Sequence, residues 1–206
     1  MSTNPTRRGR PNHPLTWFSG VVDAVRAAFD AVPRAGFLPR AARRRAGFDG
    51  PLQIGHGQTN SQPRTVAAML VLLEVRAGDR VLDVGSGSAW TTALLAELTG
   101  PTGSVLGVEL VPELVRWGRA NLARTAYTWA VVRQADKHVL GWPEEAPYDR
   151  ILVSADAPSL PHTLVEQLAE DGRIVVPVRG TMTLGIRTGT TLETTAHGSY
   201  RFVPLL

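Results

Sequence analysis

The chain reads as an α/β protein: a mostly parallel sheet with helices on both faces and antiparallel strands added at its C-terminal edge. Three observations predict it. Apolar, β-branched runs alternate with helical runs between residues 80 and 178, the pattern of strands covered on both faces. Asp83-Val84-Gly85-Ser86-Gly87-Ser88-Ala89 joins one such strand to a helix through a Gly-x-Gly turn. After Gly180 the helical spacing stops, and three short runs follow, joined by glycine turns.

Residues 17–32 predict an amphipathic helix, because Val21, Val22, Val25, Ala28, Phe29 and Val32 share one face and Pro33 ends it. Residues 34–51, rich in Gly, Pro and Arg, predict an irregular surface segment. A loop over 55–63 precedes a helix over 64–75, with Pro63 near a first-turn position. Strands are predicted at 80–84, 104–109, 128–133, 149–154 and 173–178, and helices at 89–98, 112–124 and 161–169. The last predicted strands are 182–187, 190–195 and 200–205, an edge hairpin and a final strand. Residues 1–16 predict a flexible basic tail, and 17–206 a single domain.

Composition narrows the function. The chain has 206 residues and 43% hydrophobic content, enough for a core. No apolar run is long enough for a membrane helix, and the polar N-terminus has no signal-peptide core. Cysteine is absent, so thiolate metal sites and cysteine nucleophiles are excluded. The five histidines show no ligand spacing, so no metal is expected. Net charge is +4, with Lys137 the only lysine, and outside the tail the arginines cluster only at Arg43-Arg44-Arg45. That is too little to argue for nucleic acid. The expectations are a cytoplasmic monomer with neither membrane nor nucleic-acid partner.

The Gly-x-Gly turn is a cofactor cradle, since glycines let the backbone approach a ligand closely. Trp90 stands where a dinucleotide fingerprint needs its third glycine, and no P-loop or nucleophile elbow occurs. Asp83, two residues before the first glycine, resembles the first motif of S-adenosylmethionine (SAM) methyltransferases. Glu109 ends the second strand, placed to hold a ribose diol, and Asp136 follows the third. The candidate cofactor residues are Asp83, Gly85, Ser86, Gly87, Ser88, Glu109, Leu110 and Asp136. A solvated strand-end carboxylate is the plainer reading of Glu109.

Pro51-Leu52-Gln53-Ile54-Gly55-His56-Gly57-Gln58-Thr59-Asn60-Ser61-Gln62-Pro63 resembles the signature of protein-L-isoaspartate O-methyltransferases, Gly-Tyr/His-Gly-Gln-Thr-Ile-Ser-x-Pro. Val32-Pro33-Arg34, Glu109-Leu110-Val111-Pro112, Gly141-Trp142-Pro143 and Arg201-Phe202-Val203-Pro204-Leu205 agree with it in order. The resemblance implies methyl transfer from SAM to the free carboxylate of isoaspartate in a damaged protein or peptide. It places Ser61, with Thr59, beside the reacting carboxylate, and Asn60, His56, Ala157, Pro158, Val203, Pro204 and Leu205 along the peptide. Ser61 also reads as a plain helix N-cap, and the end of the chain as an edge strand able to grip a peptide backbone.

The chain departs from that pattern at Asn60 (usually Ile), Ala35 (usually an acid), Lys137 (usually Gly) and Asp156 (usually Ala). A carboxylate at 156 would repel a carboxylate substrate if it faced one. The main alternative is a tailoring enzyme that methylates an ordinary Asp of a ribosomally made peptide. A SAM- or peptide-binding module without turnover and an RNA methyltransferase are further readings. The chain lacks the Asn-Pro-Pro-Tyr-like loop that the last would favour.

Overall fold

The computed structural model describes residues 14–205; the expected basic tail lies outside these residues up to position 13. Helix α1 (Pro14–Ala31) starts three residues before the expected position. Two 3-10 turns follow, Arg34–Phe37 and Arg40–Arg45, where an irregular segment was expected. The expected 55–63 loop is a hairpin of β1 (Leu52–Gly55) and β2 (Gln58–Asn60). His56 and Gly57 form its turn with φ of 55° and 74°, the paired left-handed backbone of a two-residue hairpin.

The rest alternates as expected. It comprises α2 (Pro63–Leu73), β3 (Arg80–Val84), α3 (Trp90–Thr99), β4 (Ser104–Glu109), α4 (Pro112–Leu122), β5 (Ala130–Gln134), β6 (Tyr148–Val153), α5 (His162–Val165), β7 (Leu168–Val178), β8 (Thr181–Thr188) and β9 (Thr191–Ser199). The seven-stranded sheet runs β5-β4-β3-β6-β7-β8-β9, parallel from β5 to β7, with β8 and β9 antiparallel. Two expectations fail. The 161–169 helix is a single turn, because β7 begins at Leu168 and claims its second half. Residues 200–205 form no strand; one parallel bridge joins Asp156 and Pro204.

Strand alternation sorts the core. Val81, Val105, Val132, Leu152 and Val175 pack under α1 to α4, whereas Leu82, Leu106, Ile151, Val153 and Ile174 face α5 and neighbouring loops. Right-handed crossovers explain the split. The chain steps outward through α3 and α4 from β3 to β5, then returns to β6 beside β3 and steps the other way through α5. Reversed travel with one handedness puts α5 on the opposite face. The reversal makes the carboxyl ends of β3 and β6 a topological switch point, where open α/β sheets bind ligands. No described helix is long and apolar enough to cross a membrane.

Candidate active site

A cleft of about 1020 Å³ opens at that switch point. Its walls are the Gly85–Ser88 turn, Glu109 to Val111, Asp136 and Lys137, Thr59 to Ser61, Ser154 and Ala155, and Val203 to Leu205. Thirteen predicted residues therefore meet in one place: Thr59, Asn60, Ser61, Gly85, Ser86, Gly87, Ser88, Glu109, Leu110, Asp136, Val203, Pro204 and Leu205. Four do not line it. His56 is exposed on the hairpin turn, and Pro158 is exposed. Ala157 is buried and bridged to Val178. Asp83 lies beneath the floor, fully buried.

Asp83 supports the turn from below instead of facing a ligand. Its Oδ2 accepts hydrogen bonds from Thr91 Oγ1 at 2.8 Å and Thr92 Oγ1 at 2.7 Å, pinning the first turn of α3. Oδ1 is buried with no partner among the described residues. Burial pushes this carboxyl up to about 6, against the threonine hydrogen bonds and helped by Glu109.

The turn itself is less open than the sequence implies. Gly85 and Ser86 N–H groups donate to Val108 O, Gly87 N–H to Glu109 Oε2 at 2.9 Å, and Ala89 N–H to Ser86 O. Glu109 is 7% exposed, and its Oε1 accepts from Val111 N–H at 2.9 Å. Each carboxylate oxygen holds one N–H and keeps further acceptor capacity. Asp136 is exposed, with Oδ1 accepting from His138 N–H. Ser86 Oγ is buried with no hydrogen-bond partner among the described residues.

The opposite wall hangs on a residue that sequence reasoning missed as a site organiser. Arg34 is 6% exposed and uses its whole fork. Nε donates to Asn60 Oδ1 at 2.7 Å, and Nη1 to Phe48 O at 2.8 Å. Nη2 donates to Gly50 O, Asn60 O and Ser61 O at 2.8–2.9 Å. Burial lowers its pKa to about 10, with Asp49 opposing. Asn60 completes the link: Nδ2 donates to Ser88 Oγ at 3.2 Å, tying this wall to the Gly85–Ser88 turn. Trp90 braces the arrangement, its Nε1–H donating to Val32 O at 3.1 Å and its ring edge-on to Phe29. The one available signal was the arginine of Val-Pro-Arg, which the resemblance marked without a role.

Two further expectations change. Gln62, not Ser61, is the residue before the first turn of α2, and neither caps it by side chain. Arg64 N–H at that helix start is taken by Asp49 Oδ1 at 3.1 Å, so the anion there belongs to the protein. Asp156 does not line the cleft. Its Oδ1 accepts from Gly180 N–H at 2.8 Å, while its backbone holds Val203 O and Leu205 N–H. Residues 203–205 thus spend main-chain groups on Asp156, unlike a free edge strand.

With this geometry in place, known proteins give the family. Residues 19–206 match the family described as Protein-L-isoaspartate(D-aspartate) O-methyltransferase (PCMT). The chain belongs to that family. A Methanopyrus kandleri Protein-L-isoaspartate O-methyltransferase is 44% identical over 88% of this chain and 83% of its own. One from Methanoculleus marisnigri is 43% identical over 100% of this chain and 95% of its own. A solved protein-L-isoaspartate O-methyltransferase superposes with a TM-score of 0.82 at 26% identity, over 93% of this chain; the chain spans 65% of that structure's length. A Plasmodium falciparum structure described as a beta-aspartate methyltransferase (PCMT) in complex with S-adenosyl-L-homocysteine gives 0.77 at 25% identity, covering 95% and 99%.

Two outcomes test this site. Replacing Arg34 with Lys removes the planar fork while keeping the charge. We expect methyl transfer to a peptide acceptor to fall about 10-fold or more, with S-adenosylhomocysteine affinity by calorimetry changed less than about 3-fold. Asp83 is a carboxyl whose folded pKa is raised, so its burial penalty grows as pH rises from the unfolded value to about 6 and is constant above. Asp83→Asn lacks that penalty. Relative to wild type it should gain roughly 2 kcal/mol of unfolding free energy between pH 4.5 and 7.5 in urea titrations. No relative gain would refute the buried ionised carboxylate.

Proposed function

We propose that this protein transfers the methyl group of S-adenosylmethionine to the free carboxylate of L-isoaspartyl residues in proteins or peptides. The observation that carries the reading is the meeting of Thr59, Asn60 and Ser61 with the Gly85–Ser88 turn and Glu109 in one cleft. Family membership and the S-adenosyl-L-homocysteine in the P. falciparum structure support the donor. No observation favours an Asp-directed tailoring activity.

The cradle suits such a donor. Gly87 lies where a Cβ would come 3.2 Å from Ile54 Cδ1, so a side chain would fill the space. Glu109 offers two oxygens with spare capacity to a ribose diol. Asp136 stands at the rim for the base. When bound, the donor supplies an electrophilic methyl on a sulfonium.

The acceptor carboxylate is ionised at neutral pH, so the residues around it need not remove a proton. Their task is placement. Ser61 and Thr59 present hydroxyls from a wall that Arg34 and Asn60 hold still. A hydroxyl donating to the non-reacting oxygen would orient the other for attack on a bound donor's methyl. Val203 to Leu205, held by Asp156, close the opposite side and exclude water.

Ser61→Ala should lower kcat/KM for an isoaspartyl peptide about 10- to 100-fold while leaving S-adenosylhomocysteine affinity within about 2-fold. Equal losses in both would remove the acceptor role. Glu109→Ala should weaken S-adenosylhomocysteine binding about 10-fold or more by calorimetry, because a charge-assisted contact is lost. Matched isoaspartyl and aspartyl peptides, scored for methyl ester and released methanol, decide the substrate. Ester on the aspartyl peptide alone would overturn the proposal.

A further inference from the structure

The second 3-10 turn carries four arginines, of which Arg43 Nε donates to Leu38 O at 3.2 Å. Arg40, Arg43, Arg44 and Arg45 are exposed, and none forms an ion pair among the described residues. The turn contains no acid, and residues 1–18 contain none either. The nearest acid in sequence, Asp49, is engaged. Its carboxylate takes Arg64 N–H and both Nε and Nη2 of the Arg64 guanidinium, which hold it below the usual carboxylate range. Arg45 lies over the Phe48 ring at 5.0 Å, and Phe48 is 50% exposed.

Position gives this cluster a meaning. The segment that ends the turn is bonded to the acceptor wall at several points. Arg34 bridges Phe48 O and Gly50 O to Asn60 O and Ser61 O. Gln62 Nε2 donates to Asp49 O at 3.1 Å. The backbone at 48–50, three residues past the arginine turn, is therefore tied to the Ser61 segment. The carboxylates that line the cleft, Glu109 and Asp136, lie on the cofactor wall instead. The exposed arginines and the half-exposed Phe48 ring thus sit on the segment bonded to the back of the Ser61 wall.

We propose that Arg40, Arg43, Arg44 and Arg45, with Phe48, form a docking face for acidic residues flanking the acceptor residue of a peptide or protein substrate. The inference rests on the acceptor wall being the one around Ser61. Exposed charges of this kind act mainly by raising local concentration and encounter rate, and salt screens them. The effect should therefore appear in KM and in kcat/KM, not in kcat.

The test uses two isoaspartyl peptides that differ only in carrying Glu or Gln at the flanking positions. Binding to the S-adenosylhomocysteine-loaded protein is read by fluorescence anisotropy, and methyl transfer is read separately. We expect the Glu peptide to bind about 5- to 10-fold tighter at low salt, with the ratio falling towards 1 at about 0.5 M salt. The triple variant Arg43→Gln, Arg44→Gln, Arg45→Gln should abolish the preference. Arg26→Gln, which removes an exposed charge from α1, should keep it. A ratio near 1 in the wild type, or an unchanged ratio in the triple variant, overturns the proposal. So does single-stranded RNA that binds tighter than the Glu peptide and loses affinity in the triple variant. A Glu preference in binding without any methyl transfer leaves the docking face standing and removes the proposed activity.

Discussion

The Thr59–Ser61 wall of the cleft depends on one buried guanidinium. The wall that carries Thr59 and Ser61 is a short hairpin followed by a proline-initiated helix, and two strands alone are marginal in water. Arg34 supplies what the hairpin lacks. It joins carbonyls from two separate segments, Phe48 and Gly50 on one side and Asn60 and Ser61 on the other. Its charge suffers desolvation, seen as a pKa lowered to about 10. The hydrogen bonds offset this cost, and an unpaired carbonyl set would cost more. Asn60, stacked on the same network, carries the constraint across to Ser88. The substitution of Asn for the family's usual Ile thus adds a polar link between the two halves of the cleft.

Beneath the glycine turn the chemistry runs the other way. Asp83 is buried with one oxygen paired and one bare, so the fold carries a standing penalty at neutral pH. It holds the first turn of α3, where Ala89 takes a left-handed φ of 67°, an arrangement that needs outside support. Stability is given up at the base of the turn for a backbone shape that leaves Glu109 in the wall of the cleft. Such local conflicts belong to functional sites.

Much of this was legible in the chain. The strands 80–84 and 104–109 are found at those bounds, because both faces of a central parallel strand are buried and the apolar run is continuous. The resemblance marked both the Thr59–Ser61 segment and the glycine turn, and the structure brings them to one cleft. Edges were harder. Residues 200–205 were expected as a strand, yet Tyr200 N–H donates to Gly180 O, and Val203 and Leu205 bond to Asp156, residues distant in sequence. The 161–169 segment has helical spacing, but sheet pairing with β6 claims it from Leu168. Long-range partners overrode local pattern in both cases.

The sequence by itself determined the alternation of elements, the glycine turn with acids at strand ends, and the signature around Thr59-Asn60-Ser61. These are properties of neighbours along the chain, where periodicity and backbone freedom act locally. Only the tertiary structure decided which acids face the cleft. It placed Glu109 in the wall and Asp83 under it, tied Asp156 to Gly180, and spent Asp49 on the start of α2. A carboxylate's role depends on which donors fold against it, and those donors come from segments far apart in the chain.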